Sequence, residues 1–297
     1  MQSPSSSVRR ARPLLGTIVE ISAAGAADGL QAALDAAFAQ IELVQRLMSF
    51  HAADSDVARI NAAAAGSEIC IDPHTFKVLA FAQQLGDLSG GAFDIATAAT
   101  LVRHGFLPAQ AEPIPAAGAT YRDLELLQDG HVRWRRRGWI DLGGIAKGYA
   151  VDCAVAALQA HGVYGGVVNA GGDLRCFGAA QAVQVRLPHD PAARLELGWL
   201  ADHALATSAG YFASVEYQGE RIEPLVDPAQ SACVRWEESI SVIAADCMTA
   251  DALTKVVRLA PQLLEDILAH YNAQAIAINQ YSTRACGSML LQQEAVN

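Results

Sequence analysis

Acids beside glycines are the chemistry-bearing residues of this chain. Asp141 precedes Gly143-Gly144, Asp173 follows Gly171-Gly172, and Asp94 follows Gly90-Gly91 after Ala92 and Phe93. A fourth acid, Asp251, lies in the segment after Ile240 to Ala244. Singly, each acid is as well explained as a helix cap or a solvated side chain. Together they suit a site for an anion and a divalent cation, because magnesium accepts carboxylates, carbonyls and phosphates as ligands. Lys147 sits just after the first glycine pair, where a cation opposes the dipole of a helix starting there. A bound phosphate would reverse that sign, since free N–H groups at a helix start favour an anion; without one, Lys147 is an ordinary solvated lysine. The pattern is neither a P-loop nor a GxGxxG turn. There is no GxSxG elbow and no histidine pair at metal-ligand spacing.

These residues must be held by the stretch from Trp139 to Gly178. Its pattern predicts a short strand (Trp139, Ile140, Leu142), a helix from about Ile145 to His161-Gly162, and a second strand from Val163 to Ala170. Elsewhere Leu14 to Ile21 reads as a strand broken by Gly16. Asp28 is expected to cap a helix with the apolar stripe Leu30, Leu34, Ala37, Ile41, Val44 and Met48. Ser55 and Asp72-Pro73 mark two further helix starts, and Asp246 another. Leu124 to Leu127, Asp129-Gly130 and Val132 to Trp134 read as a hairpin. The arginines 133, 135, 136 and 137 on it read first as a solvated edge and second as an anion site. Later strands are expected at Val183 to Leu187, Ala204 to Ala206, Phe212 to Tyr217, Ile222 to Val226, Ile240 to Ala244 and Ala275 to Asn279, with a turn at Gln218-Gly219. A helix is expected over Pro261 to Tyr271. Many short strands interrupted by helices indicate an α+β protein.

The chain has 297 residues, 52% of them hydrophobic, enough for a large core. A formal net charge of -10 argues against a nucleic-acid partner. Six scattered cysteines without a CxxC pair suit a reducing compartment. Residues 1–12 read as disordered, with neither a signal peptide nor a membrane anchor, so no membrane insertion and a cytoplasmic location are expected.

Four blocks, in order, resemble the ApbE-like flavin transferases (FAD:protein FMN transferases). They are MSFHAADSDVARIN (Met48 to Asn61), GGAFDIATAATL (Gly90 to Leu101), IDLGGIAKGYAVD with VVNAGGDLR (Ile140 to Arg175), and SVIAADCMTADALTK (Ser241 to Lys255). The resemblance implies one domain over residues 13–297, with the family's α+β fold of mixed or antiparallel sheets and packed helices, and FAD held between two lobes. It implies FAD contacts at Ala92, Phe93, Asp94, Asp141 and Lys147, with Asp141 and Lys147 also catalytic. It implies magnesium at Gly144, Asp251 and Thr254. The reaction implied is transfer of FMN from FAD to a threonine of a target flavoprotein, with release of AMP.

Some positions depart from the family pattern. Pro224 stands where a histidine is expected, and Lys255 where a metal-binding threonine is expected, with Thr254 one residue early. One helix position is a rotation of ~100°. The Lys255 ammonium is therefore an alternative occupant of the cation's place. These departures also leave two alternative functions, a non-catalytic FAD-binding homologue and an FAD pyrophosphatase.

Overall fold

A computed structural model describes residues 5–291, except 111–112, 117, 189, 191, 210–213, 218, 236–237 and 289. Its centre is an eight-stranded sheet whose strands lie side by side in chain order. They are β1 (Ser5–Leu14), β2 (Thr17–Ala26), β3 (Gly165–Ala170), β4 (Asp173–Phe177), β5 (Ala204–Ala209), β6 (Ser239–Ala244), β7 (Gln274–Ile278) and β8 (Thr283–Gly287). Every neighbouring pair is antiparallel. The helices are α1 (Leu30–Met48), α2 (Asp56–Ala62), α3 (Pro73–Leu88), α4 (Ala98–Arg103), α5 (Ala146–Ala160), α6 (Cys247–Leu259) and α7 (Leu264–His270).

Alternation along the strands covers both faces of the sheet. Ala204, Ala206, Ile240, Val242 and Ala244 join the main core with α1, α5 and α6. Leu205, Ile243, Ile276 and Ile278 point the other way, onto Val183, Val185 and Leu200 of the hairpin Gln181–Arg186 and Arg194–Leu200. The α1 stripe expected from its spacing is buried in full. Ser55, Asp72 and Asp246 cap α2, α3 and α6 by accepting from Ala58 N, His74 N and Thr249 N.

Several sequence expectations give way. Residues 5–14 are a strand, not a disordered tail; residues 1–4 lie outside the described set. All ten β1 residues pair with β2. Its arginines are neutralised in tertiary contacts that no local pattern shows: Arg10 with Asp35 at 2.8 Å, and Arg12 with Glu42 at 3.0 Å. Gly16 does not interrupt a strand. Leu15 and Gly16, both at positive φ (56° and 69°), turn β1 into β2. Gly29, not Asp28, is the N-cap of α1, and no side chain caps it.

Trp139 to Leu142 is not a strand either, because its backbone pairs with a side chain and a loop instead of a ladder. The Leu124–Leu126 and His131–Trp134 hairpin forms as expected; Arg133, Arg135 and Arg136 pair with Glu68, Glu125 and Asp123, while the Arg137 Nε is buried without a hydrogen-bond partner among the described residues. Val215–Tyr217 is a strand, while Phe212 and Gln218 lie outside the described residues. Ile222 to Val226 divides between two short pairs on either side of Pro224.

Candidate functional site

A cavity of about 1260 Å³ opens where the α5 start meets the loop before α4 and the end of β5. Ala92, Phe93 and Asp94 line it from the loop, and Asp141, Gly144 and Lys147 from the α5 start. Thr207, Ser208, Pro224 and Lys255 complete the nearer wall. Six of the eight residues singled out in the sequence therefore share one space. Asp251 and Thr254 do not line it; each is 1% exposed, beneath the wall.

Asp141 is aimed by its backbone. Asn61, fully buried, accepts from Ile140 N at 2.7 Å through its Oδ1 and donates from Nδ2 to Ile140 O at 3.0 Å. Trp139 Nε1 donates to the Asn61 carbonyl at 3.0 Å, and Asp141 N donates to Ile95 O at 2.9 Å. Asn61 ends the first of the resembling blocks, but its role depends on a segment far along the chain. No local pattern of α2 signals it, because the helix already carries the polar residues Asp56 and Arg59. Burial raises the Asp141 carboxyl above its ordinary range, against the opposing pull of the Gly143 amide, His51, the Leu142 amide and Lys255.

Asp94 is held by two amides, accepting from Ala96 N at 2.7 Å and Tyr121 N at 2.9 Å. Burial outweighs both and pushes its carboxyl up to about 6.

Two ammoniums of the wall, Lys147 and Lys255, are backed by two buried carboxylates, Asp173 and Asp251. Lys147 Nζ donates to Asp173 Oδ2 and lies 3.8 Å from Asp251 Oδ2. Lys255 Nζ donates to Asp251 Oδ1 at 2.5 Å and to Asp251 O at 2.9 Å. Gly148 N donates to Asp251 Oδ2 at 3.1 Å. Burial works against charge on Lys147, but Asp173 and Asp251 outweigh it and hold the ammonium above its ordinary pKa. Burial works against charge on Asp251 too; Lys147 and Lys255 overcome it and keep the carboxyl below its ordinary value.

Two more residues fix this cluster. Asp152 of α5 accepts from Cys247 N at 2.9 Å and Met248 N at 2.8 Å, seating the start of α6. Gly148 lets the two helices meet, since a Cβ there would lie 2.2 Å from Cys247 O.

The donor set does not fit magnesium. Magnesium needs near-octahedral oxygens at about 2.0–2.1 Å. Here Asp251 Oδ1 faces an ammonium, Oδ2 faces an amide, and Thr254 Oγ1 donates to Asp251 O at 2.7 Å while meeting Ser208 Oγ at 2.8 Å. A dication ~4 Å from one of these ammoniums would be repelled by roughly 8 kcal/mol at an effective dielectric near 20. Among the described residues, no three His, Cys, Asp or Glu side chains converge as a metal site.

Pro224 stands exposed on the cavity wall. Its neighbour Glu223 is 5% exposed, with Oε2 buried and without a hydrogen-bond partner. No helix among the described residues is long and apolar enough to cross a membrane.

A family model described as the ApbE family matches residues 15–277. A relative from Vibrio cholerae serotype O1, named FAD:protein FMN transferase, is 28% identical over 273 residues, 85% of this chain and 81% of its own. Another of that name, from Treponema pallidum, is 28% identical over 276 residues, 82% of this chain and 76% of its own. The apo crystal structure of the Pseudomonas stutzeri flavinyl transferase ApbE superposes with a TM-score of 0.78 at 21% identity, over 96% of each chain. An ApbE protein structure from Thermotoga maritima gives a TM-score of 0.81 at 23% identity, over 95% of this chain and 97% of that one. At these identities the structures speak for the fold, an α+β arrangement with antiparallel sheets.

Proposed function

The chain belongs to the ApbE family, and from that premise we propose that it transfers FMN from FAD to a threonine of a target flavoprotein, with release of AMP. The observation that carries this reading is the shared cavity. Ala92, Phe93 and Asp94 reach it from one stretch, and Asp141 and Lys147 from another. At about 1260 Å³ it exceeds the roughly 300–1,000 Å³ of ordinary small-ligand pockets. That leaves room for a dinucleotide and an incoming side chain.

In this reading the threonine Oγ attacks the phosphorus of the FMN half. A new phosphorus–oxygen bond forms as the bond from that phosphorus to the bridging oxygen breaks. The bridging oxygen departs with the electron pair on AMP. The hydroxyl proton passes to the Asp141 carboxylate and then to solvent. A carboxylate made more basic by burial is suited to that transfer. Lys147 and the α5 start face the charge that builds on the diphosphate, where fixed donors lower the barrier most. Phe93, mostly buried, gives the cavity an apolar wall.

Magnesium, expected at Gly144, Asp251 and Thr254, takes no part in this reading, because the Asp251 and Thr254 oxygens are already engaged.

The test is incubation with FAD and a target flavoprotein bearing the acceptor threonine. Covalent flavin on the target, read by in-gel fluorescence, and one AMP per label are expected. AMP without label would indicate a pyrophosphatase instead. Bound FAD without AMP would indicate a flavin-binding homologue.

A further inference from the structure

Lys255 occupies an unusual place for a lysine. It is on α6, one turn after Asp251, so the acid and the ammonium fall on the same helix face. Its side chain is 17% exposed and lines the cavity. The stem rests against the bare face of Gly144, where a Cβ would come within 3.2 Å of Cε and 3.9 Å of Nζ. The ammonium has three donors. Asp251 takes two of them, through Oδ1 at 2.5 Å and its carbonyl at 2.9 Å.

We infer that the Lys255 ammonium is the resident cation of this site, binding the diphosphate of the flavin dinucleotide with its remaining donor in place of a divalent metal ion. The inference rests on the flavin reading above and adds that the chemistry is independent of metal.

Three features support it together. Asp251, buried beneath the wall, anchors the ammonium at two points, so the charge is fixed before ligand arrives. Lys147 is held alongside by Asp173. The two ammoniums cancel the two carboxylates, and the charge an arriving diphosphate meets at the surface is that of the N–H groups. A fixed donor pointing at an anion needs no reorganisation when the ligand binds. The helix start at Ala146 lies on the other side of Gly144, and its dipole adds to the same field.

The experiment is a titration of the purified full chain with FAD, followed by flavin fluorescence quenching, in EDTA and in magnesium chloride. Affinity is expected to agree within about twofold in the two buffers. Lys255→Met should weaken binding by about tenfold or more, and Lys255→Arg, which keeps the charge, by less than about threefold. Calorimetry of the flavin-free protein with magnesium chloride should show no saturable heat.

Loss of FAD binding on chelation, or saturable magnesium binding by the wild-type chain, overturns the inference while leaving the flavin reading intact. No FAD binding in either buffer overturns both. Circular dichroism checks that Lys255→Met folds; if it does not, the wild-type comparison in EDTA decides alone.

Discussion

The Asn61 carboxamide grips the backbone of Ile140 at both its N–H and its C=O, at 2.7 Å and 3.0 Å. A side chain thereby imitates a neighbouring β-strand at the residue that precedes Asp141. Asn61→Ala would leave a buried N–H and a buried C=O unpaired, at about 1–3 kcal/mol each. The expected loss is about 2–6 kcal/mol of unfolding free energy in urea. FAD affinity should fall with it, since Asp141 loses its frame. A variant with unchanged affinity and only lowered stability would show that Asn61 does not position the site.

Gly148 and Cys247 give the second expectation. A Cβ at residue 148 would lie 2.2 Å from the Cys247 carbonyl oxygen and 2.9 Å from Asp251 Cβ. Backbone cannot yield as a flexible side chain does, so α5 and α6 must separate. Gly148→Ala, which ordinarily favours a helix, should here cost at least the ~1–3 kcal/mol of an overpacked core. Thermal unfolding reads it directly. A variant as stable as the parent would mean that the helices can slide without cost.

Glu223 ties stability to pH. Burial pushes its carboxyl from 4.5 up to about 7, with Arg221 and Arg258 opposing only in part. The folded protein thus holds a proton that the unfolded chain has released. Linkage then makes stability fall as pH rises from about 4.5 to about 7, and level off above. Glu223→Gln removes this contribution. Measured as the difference in Tm, the variant should gain on the parent steadily across that window and hold the gain at pH ~8. A difference in Tm that does not change with pH would show that Glu223 ionises as a solvated acid does.

What the sequence showed depended on how far each signal reached. The α1 stripe and the caps Ser55, Asp72 and Asp246 were legible because each is settled within a turn or two of chain. The hairpin at Asp129-Gly130 was legible for the same reason, with both residues at positive φ. Ser5–Leu14 was not, since its arginines are neutralised by α1 and β2 and look solvated in isolation. Trp139 to Leu142 has the apolar composition of a strand, but its partner is the Asn61 side chain. The site was legible by residue type: Asp94, Asp141 and Lys147 do share a cavity. That Asp251 and Thr254 lie beneath its wall, with their oxygens engaged, follows from how α5 packs on α6, and no local pattern encodes that packing.

Lys147 and Asp173 test whether one lysine serves both stability and chemistry. Asp173 is 3% exposed and reaches Lys147 Nζ with Oδ2 and Thr207 N at 3.3 Å with Oδ1. Lys147→Met would leave Asp173 and Asp251 sharing only Lys255. Removing one partner of a buried pair costs about 3–5 kcal/mol. The Lys147 side chain is 34% exposed, so solvent screening reduces this to about 2–3 kcal/mol. Adding Asp173→Asn removes the stranded charge, and a carboxamide oxygen can still accept from Thr207. The double variant should therefore recover about half or more of the lost stability. AMP release should stay lost, because the ammonium facing the diphosphate is still missing. Full stability in the single variant would make Lys147 purely catalytic. Restored AMP release in the double variant would make it purely structural, and either result would sink the dual role.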